Sequence, residues 1–324
     1  MNNLKTMLRN LVFFNKEGYT AHPDRPSADE MDSYFVTAFY ALIPCMLLAT
    51  YYFRARLFIA LFAAFIGVAL VEIIVAAMRK RPISGGAFVY AMMFALFAPS
   101  AAPAWMIAVS AACGTLFGCL IFGGAGRNLV HPVALGKAFL VYGFPQTAML
   151  PYFGSMLDMP SKNGWIDVSI VMLVCILVFI IKQPDRFFIL LGIFIVGFLT
   201  ALAITTKSYL PSGSTAKIFV SDSLIFSIPL LPLELRKMGS SMLAMWHWGG
   251  LLFAMTFLVI DPAITPRGIA AKIIYGAVIG CAAVFMRTLT THGGAVASAV
   301  ILGALVVPLI AYAVNAVRAQ RRAA

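Results

Sequence analysis

The run Gly123-Gly124-Ala125-Gly126-Arg127-Asn128-Leu129-Val130-His131-Pro132-Val133-Ala134-Leu135-Gly136-Lys137-Ala138-Phe139 gathers the residue types best suited to holding a polar ligand. Glycines permit tight turns and close backbone approach. Free N–H groups at a helix start after Pro132, with Arg127 and Lys137 nearby, suit an anion or the polar edge of a flavin ring. An ordinary re-entrant turn with orientation-setting charges fits the same residues. His131 sits within the run and is the histidine best placed for function. Two acids stand in apolar surroundings. Glu72 reads either as an ion-pathway residue or as a helix-end acid paired with Arg79 or Lys80. Asp261, just before Pro262, reads as a turn cap or as a group facing a cation. Ser212-Gly213-Ser214-Thr215-Ala216 presents a hydroxyl beside glycine, open to modification or simply a polar turn.

Other residues point to packing and anchoring. His247, between Trp246 and Trp248, suits an aromatic belt at a membrane interface. The cysteines Cys45, Cys113, Cys119, Cys175 and Cys281 form no C-x-x-C pair and read as small apolar residues between helices. Cys119 and Cys281 alone make a poor iron–sulfur site.

The elements that carry these residues must lie in lipid. Of 324 residues, 62% are hydrophobic and 11% charged, whereas a soluble domain is about a quarter charged. The apolar blocks are long enough for roughly 30 Å of hydrocarbon. Spans are expected near 34–53, 57–78, 86–103, 105–122, 133–150, 166–181, 187–206, 242–260, 269–286 and 295–317, with the third and fifth interrupted by Gly and Pro. The fold class is therefore an all-α polytopic membrane protein. Residues 1–32 form a polar arm without a cleavable signal, whose Leu4, Met7, Leu8, Leu11 and Phe14 fall at helical spacing. Residues 318–324 form a basic tail.

With both termini placed in the cytoplasm, sixteen of the 24 Lys and Arg fall inside and eight outside, as the positive-inside bias requires. The net charge of +12 follows from this distribution and does not imply nucleic acid. An internal repeat divides the chain. At an offset of 163, Gly86, Phe94, Pro99 and Pro103 match Gly249, Phe257, Pro262 and Pro266. After a one-residue slip, Gly114, Gly118 and Cys119 match Gly276, Gly280 and Cys281. Five spans separate the copies, so the halves, 33–150 and 151–317, are expected to be inverted. Such halves place a functional site between them, near interrupted helices.

The G-G-x-G-R-N-x-x-x-P-x-x-x-G-K-A-F run resembles the NqrB/RnfD family, homologous membrane subunits of the sodium-pumping NADH:quinone reductase (Nqr) and of the Rnf electron-transport complex. His22 in TAHPDR, the stretch from Met245-Trp246-His247-Trp248-Gly249-Gly250 through Asp261-Pro262, and Arg287 extend the resemblance over nearly the whole chain. Three features depart from the family pattern. His131 stands where the family has Asn, Thr291-His292-Gly293-Gly294 stands where it has an acid beside Gly, and no S-G-A-T string lies between the fifth and sixth spans.

The resemblance implies a multi-pass subunit of the bacterial inner membrane that carries electrons through FMN or riboflavin. It implies coupling to Na⁺ or H⁺ transport and partner subunits in a larger complex. It points to Gly123, Gly124, Gly126, Arg127, Asn128 and His131 as flavin contacts. Thr215 is then the nearest counterpart of the family's flavin-bearing threonine; the candidates for an ion path remain Glu72 and Asp261, by their own place in apolar surroundings. A flavin-free transporter or channel on the same scaffold, or an assembly scaffold, are the alternatives.

Overall fold

The computed structural model describes residues 14–15, 26–80, 82–83, 85–145, 156, 164–207, 250–289 and 294–323. Thr215, His22, His247 and residues 291–293 lie outside the described residues. All regular elements among the described residues are helical. They are α1 (Ala28–Phe53), α2 (Ala55–Arg79), α3 (Ala87–Phe97), α4 (Ala104–Thr115), α5 (Pro132–Gly143), α6 (Gly164–Lys182), α7 (Phe187–Lys207), α8 (Leu251–Phe253), α9 (Ile269–Leu289) and α10 (Ala295–Ala323). Wide π-type turns continue α4 over Leu116–Leu120 and α8 over Ala254–Leu258. Five helices are long and apolar enough to cross a bilayer, and shorter apolar helices accompany them. The protein is a polytopic membrane protein.

Local chemistry sets the boundaries. Ser27 caps α1 reciprocally with Glu30: Glu30 N donates to Ser27 Oγ at 3.1 Å and Ser27 N to Glu30 Oε2 at 3.0 Å. Lys80 ends α2 in a left-handed conformation. α3 starts after Gly85 and Gly86, both at positive φ, and a Cβ on Gly86 would lie 2.4 Å from the Phe35 ring. It stops at Ala98, which is extended because Pro99 follows. With 11 residues α3 is about 16 Å long, half of what a span needs. α8 and its π turn are shorter still. The interruption expected in the third span is present. The fifth span opens with one helix over residues 132–143, started by Pro132 in the position that tolerates proline best, and this helix ends at Gly143, two residues before Pro145; residues 146–150 lie outside the described residues.

α3 and α8 lie side by side and antiparallel. Phe97, at the end of α3, stacks on Phe253, just ahead of the π turn that continues α8, with centroids 5.5 Å apart. Tyr90, nearer the start of α3, approaches the residues that follow α8. The order of packing recurs along the chain: α4 packs on α2 and α5, and α9 on α7 and α10. α5 and α10 also touch, as do α1 and α6.

Small residues make these contacts close. A Cβ on Gly276 would lie 2.1 Å from the Ile189 carbonyl oxygen, and one on Gly280 would lie 2.6 Å from that of Ile193. A Cβ on Gly67 would meet the Ala108 carbonyl oxygen at 2.1 Å, and one on Gly114 that of Pro132 at 2.4 Å. Backbone-to-backbone approach through small-xxx-small pairs drives helix association where lipid offers no hydrophobic gain. The matched pairs Gly114/Gly118 and Gly276/Gly280 thus share a spacing but face different neighbours, α5 in one case and α7 in the other. Large side chains such as Leu47, Phe62, Leu309 and Tyr312 point outward, as lipid contact requires.

Replacing Gly276 by Val pushes α7 from α9 and is expected to cost about 2 kcal/mol or more. Gly143→Ala, whose Cβ meets nothing closer than 3.6 Å, should change stability by less than about 0.5 kcal/mol. Thermal melts in detergent check both; equal melting temperatures would refute the close-packing account.

Candidate functional site

The Gly-rich turn between α4 and α5 folds against the break after α8. Gly123, Gly124 and Gly126 adopt φ of 121°, 100° and 84°, values that L side chains avoid. This allows the chain to reverse tightly and turns Asn128 and His131 inward, where both are buried. Arg127 folds back over Gly123, whose Cβ would lie 2.8 Å from Arg127 Cδ.

Asp261 sits fully buried opposite them. Its Oδ1 accepts from Ala263 N at 2.9 Å, the turn-capping role that Asp before Pro suggests. Its Oδ2 accepts from Asn128 Nδ2 at 3.1 Å and faces His131 Nε2 at 3.8 Å. The same Asn128 Nδ2 reaches Tyr90 Oη at 3.3 Å, and the Tyr90 ring stands edge-on to His131. His131 Nδ1 accepts from Val133 N at 3.2 Å, so it caps α5. A neutral ring that accepts at Nδ1 carries its proton on Nε2, pointing that N–H toward Asp261. Two atoms here, Asn128 Oδ1 and His131 Nε2, are buried without a hydrogen-bond partner.

The interrupted helices expose carbonyls that need donors. Lys137 Nζ donates to Phe97 O at 2.8 Å, and Arg186 Nη1 donates to Ile260 O at 2.8 Å and Thr265 Oγ1 at 2.6 Å. Phe97 and Ile260 stand 163 positions apart, the offset of the sequence repeat. Tyr34 Oη donates to Phe257 O at 2.6 Å. Glu72, also buried, accepts from Gly85 N at 2.8 Å with Oε1, holding the turn beneath α3. Arg79 donates to the carbonyls of Leu120 and Ile121.

The structure therefore brings Asn128, His131 and Asp261 together and leaves Glu72 apart, on α2 against the Gly85 turn. Tyr34, Tyr90, Lys137 and Arg186 complete the surroundings. Of these only Lys137 had a ligand-binding reading from sequence, and Arg186 carried no signal beyond its charge between two spans. Among the thiols, Cys119 is buried while Cys281 is exposed. Cys45 and Cys175, on α1 and α6, lie 3.9 Å apart.

A model of the NQR2, RnfD, RnfE family matches residues 19–319. The chain belongs to this family. Relatives in it include proteins named as the B subunit of Na(+)-translocating NADH-quinone reductase. The one from Ectopseudomonas mendocina is 28% identical over 277 residues, covering 78% of this chain and 65% of the relative. That from Pseudoalteromonas atlantica is 28% identical over 289 residues, covering 86% and 71%. That from Chromohalobacter salexigens is 25% identical over 251 residues, covering 67% and 54%. The match thus spans less than two thirds of the first and third of these relatives.

An isoalloxazine ring does not fit between Asn128 and Asp261, whose side chains are directly hydrogen-bonded. The backbone N–H groups of Gly123, Gly124, Arg127, Val133 and Leu135 already donate within the turn and the start of α5. The residues suit an ion or proton instead, which needs one buried carboxylate and a few polar atoms.

Asn128→Ala removes a donor from a buried carboxylate, and the expected loss is about 1–3 kcal/mol. Leu129→Ala, on an outward-facing side chain, should stay within about 0.5 kcal/mol. Denaturation in detergent at neutral pH separates the two; a silent Asn128→Ala would rule out the stated contact.

Proposed function

We propose that the chain is the membrane subunit of an ion-translocating, redox-driven complex of the Nqr/Rnf type, with the Asp261 cluster on its ion path. The observation that carries this reading is a fully buried carboxylate at the break of a short helix, facing buried polar atoms that have no partner of their own. An ionisable group in such a place is costly and typically marks a route for ions or protons. Family membership supplies the setting, and the names of the relatives point to the redox and ion-coupling class.

In this reading the two halves, 33–150 and 151–317, are inverted around α3 and α8. The Phe97–Phe253 contact and the equivalent positions of the Phe97 and Ile260 carbonyls support this arrangement. The arm 1–32 and tail 318–324 lie in the cytoplasm of a bacterium, and the chain sits in its inner membrane. Asp261 accepts the ion or proton, Asn128 and His131 orient it, and Glu72 supports the turn below α3. The flavin, FMN or riboflavin, supplies electron transfer and is assigned to the outer loop at Thr215 and to partner subunits, away from Gly123, Gly124, Gly126 and Arg127. Those four residues shape the turn.

A flavin-free transporter on the same scaffold is the second reading, favoured by the closed contact between Asn128 and Asp261. Intact mass of the purified chain and ion uptake by the complex decide between them. The redox reading expects a mass increase of one flavin mononucleotide phosphoester, mapped to Thr215. It also expects Asp261→Asn to abolish redox-driven ion uptake while the flavin stays bound. Ion flux with no flavin and no redox partner would establish the alternative.

A further inference from the structure

We propose that the ion handled at Asp261 is a proton and not Na⁺; this rests on the functional reading above and specifies it. The argument is the chemistry of the groups around the carboxylate. A hard cation is held by a shell of oxygen ligands. The groups that meet the Asp261 oxygens directly are nitrogen donors: Ala263 N on Oδ1, Asn128 Nδ2 on Oδ2, and the His131 Nε2–H facing Oδ2. From the α6–α7 connection the Arg186 guanidinium holds the carbonyl of the preceding residue, Ile260, and adds positive charge to the same break. Tyr34 from α1 donates its hydroxyl proton to Phe257 O, so its O–H is committed. Tyr90 from α3, Tyr275 from α9 and Cys119 from the turn after α4 are the remaining titratable neighbours, and phenols and thiols are ordinarily neutral at physiological pH. Apart from the single unpartnered Asn128 Oδ1, donors and a fixed cation face the carboxylate, where a bound Na⁺ would need a shell of acceptors.

Protonation changes the same site without a new shell. With Asp261 ionised, Asn128 donates through Nδ2 and its Oδ1 has no partner. When a proton taken from water adds to Asp261 Oδ2, the carboxylate becomes a neutral acid with an O–H to give. Rotation of the Asn128 amide then presents Oδ1 as its acceptor, so the orphaned atom gains its partner in the protonated state. Loss of the proton to water on the other side returns the amide to its first position. One proton enters and one leaves, and no heavy-atom bond changes. His131 stands by as an N–H donor to the ionised form. A side-chain amide in its place could offer a cation an oxygen; a neutral imidazole bonded through Nδ1 offers none.

The test uses inverted membrane vesicles containing the whole complex, driven by its electron donor. Interior acidification is followed with a fluorescent amine and Na⁺ uptake with a radioactive tracer, each with and without a protonophore. The expected result is acidification that the protonophore abolishes, no tracer accumulation, and loss of acidification in Asp261→Asn. Tracer uptake that survives the protonophore overturns the proton assignment and leaves the ion-translocating role intact. Redox turnover that moves neither ion overturns that role itself. Should Asp261→Asn fail to assemble, infrared spectra of the wild-type complex serve instead. A buried carboxylic-acid band that shifts in D₂O and ignores NaCl at fixed pH supports the proposal; a band that NaCl displaces refutes it.

Discussion

Backbone polar groups inside hydrocarbon must be satisfied by the protein itself, and most of this structure answers that one demand. α3 and α8 both stop short, and each stop frees carbonyls that no water can reach. Phe97 O takes the Lys137 ammonium, Ile260 O the Arg186 guanidinium and Phe257 O the Tyr34 hydroxyl. The buried polar residues of the break region are thus explained by the termini they serve. Asp261 differs because only one of its oxygens is committed to the backbone. The other meets side chains, and side chains can rearrange.

The tight turns serve the same demand from the other direction. Gly123, Gly124 and Gly126 let a polar connection tuck beneath the helices instead of running over the surface. Ordinary side chains at those φ values would be strained, and the connection would swing outward, leaving Asp261 facing apolar groups. The glycine pair of α9 acts at longer range, drawing α7 close enough for backbones to touch. Helix placement around the cluster is therefore set by residues without side chains, and the chemistry of the cluster by four or five residues that have them.

Much of this was legible in the sequence. The succession of apolar helices, the break at Pro99, the Gly-rich turn and Asp261 all follow from hydropathy, proline placement and a charge in an apolar block. What could not be read was distance across the fold. Asn128 and Asp261 are 133 positions apart, and nothing local couples them. The glycines were read as a cradle for an anion, but turns of this kind also consume their own N–H groups, as those of Gly123 and Gly124 do here. Gly136 could not be assigned a role from pattern either: it makes room for the Phe94 ring and the Ser110 carbonyl while α5 continues through it, and the helix stops only at Gly143. Tyr34 and Tyr90 are invisible to pattern reading, since an aromatic in an apolar block reads as packing until its hydroxyl partner is seen.

The two capped carbonyls at Phe97 and Ile260 occupy corresponding places, yet different cations hold them. A guanidinium is a planar fork of donors, whereas an ammonium is a compact point charge on a flexible stem. One end of the paired half-helices is therefore held by a guanidinium that also reaches Thr265, and the other by a single ammonium. Two corresponding helix stops thus differ in the side chain that holds them, and a vectorial process needs a difference of that kind between its two ends.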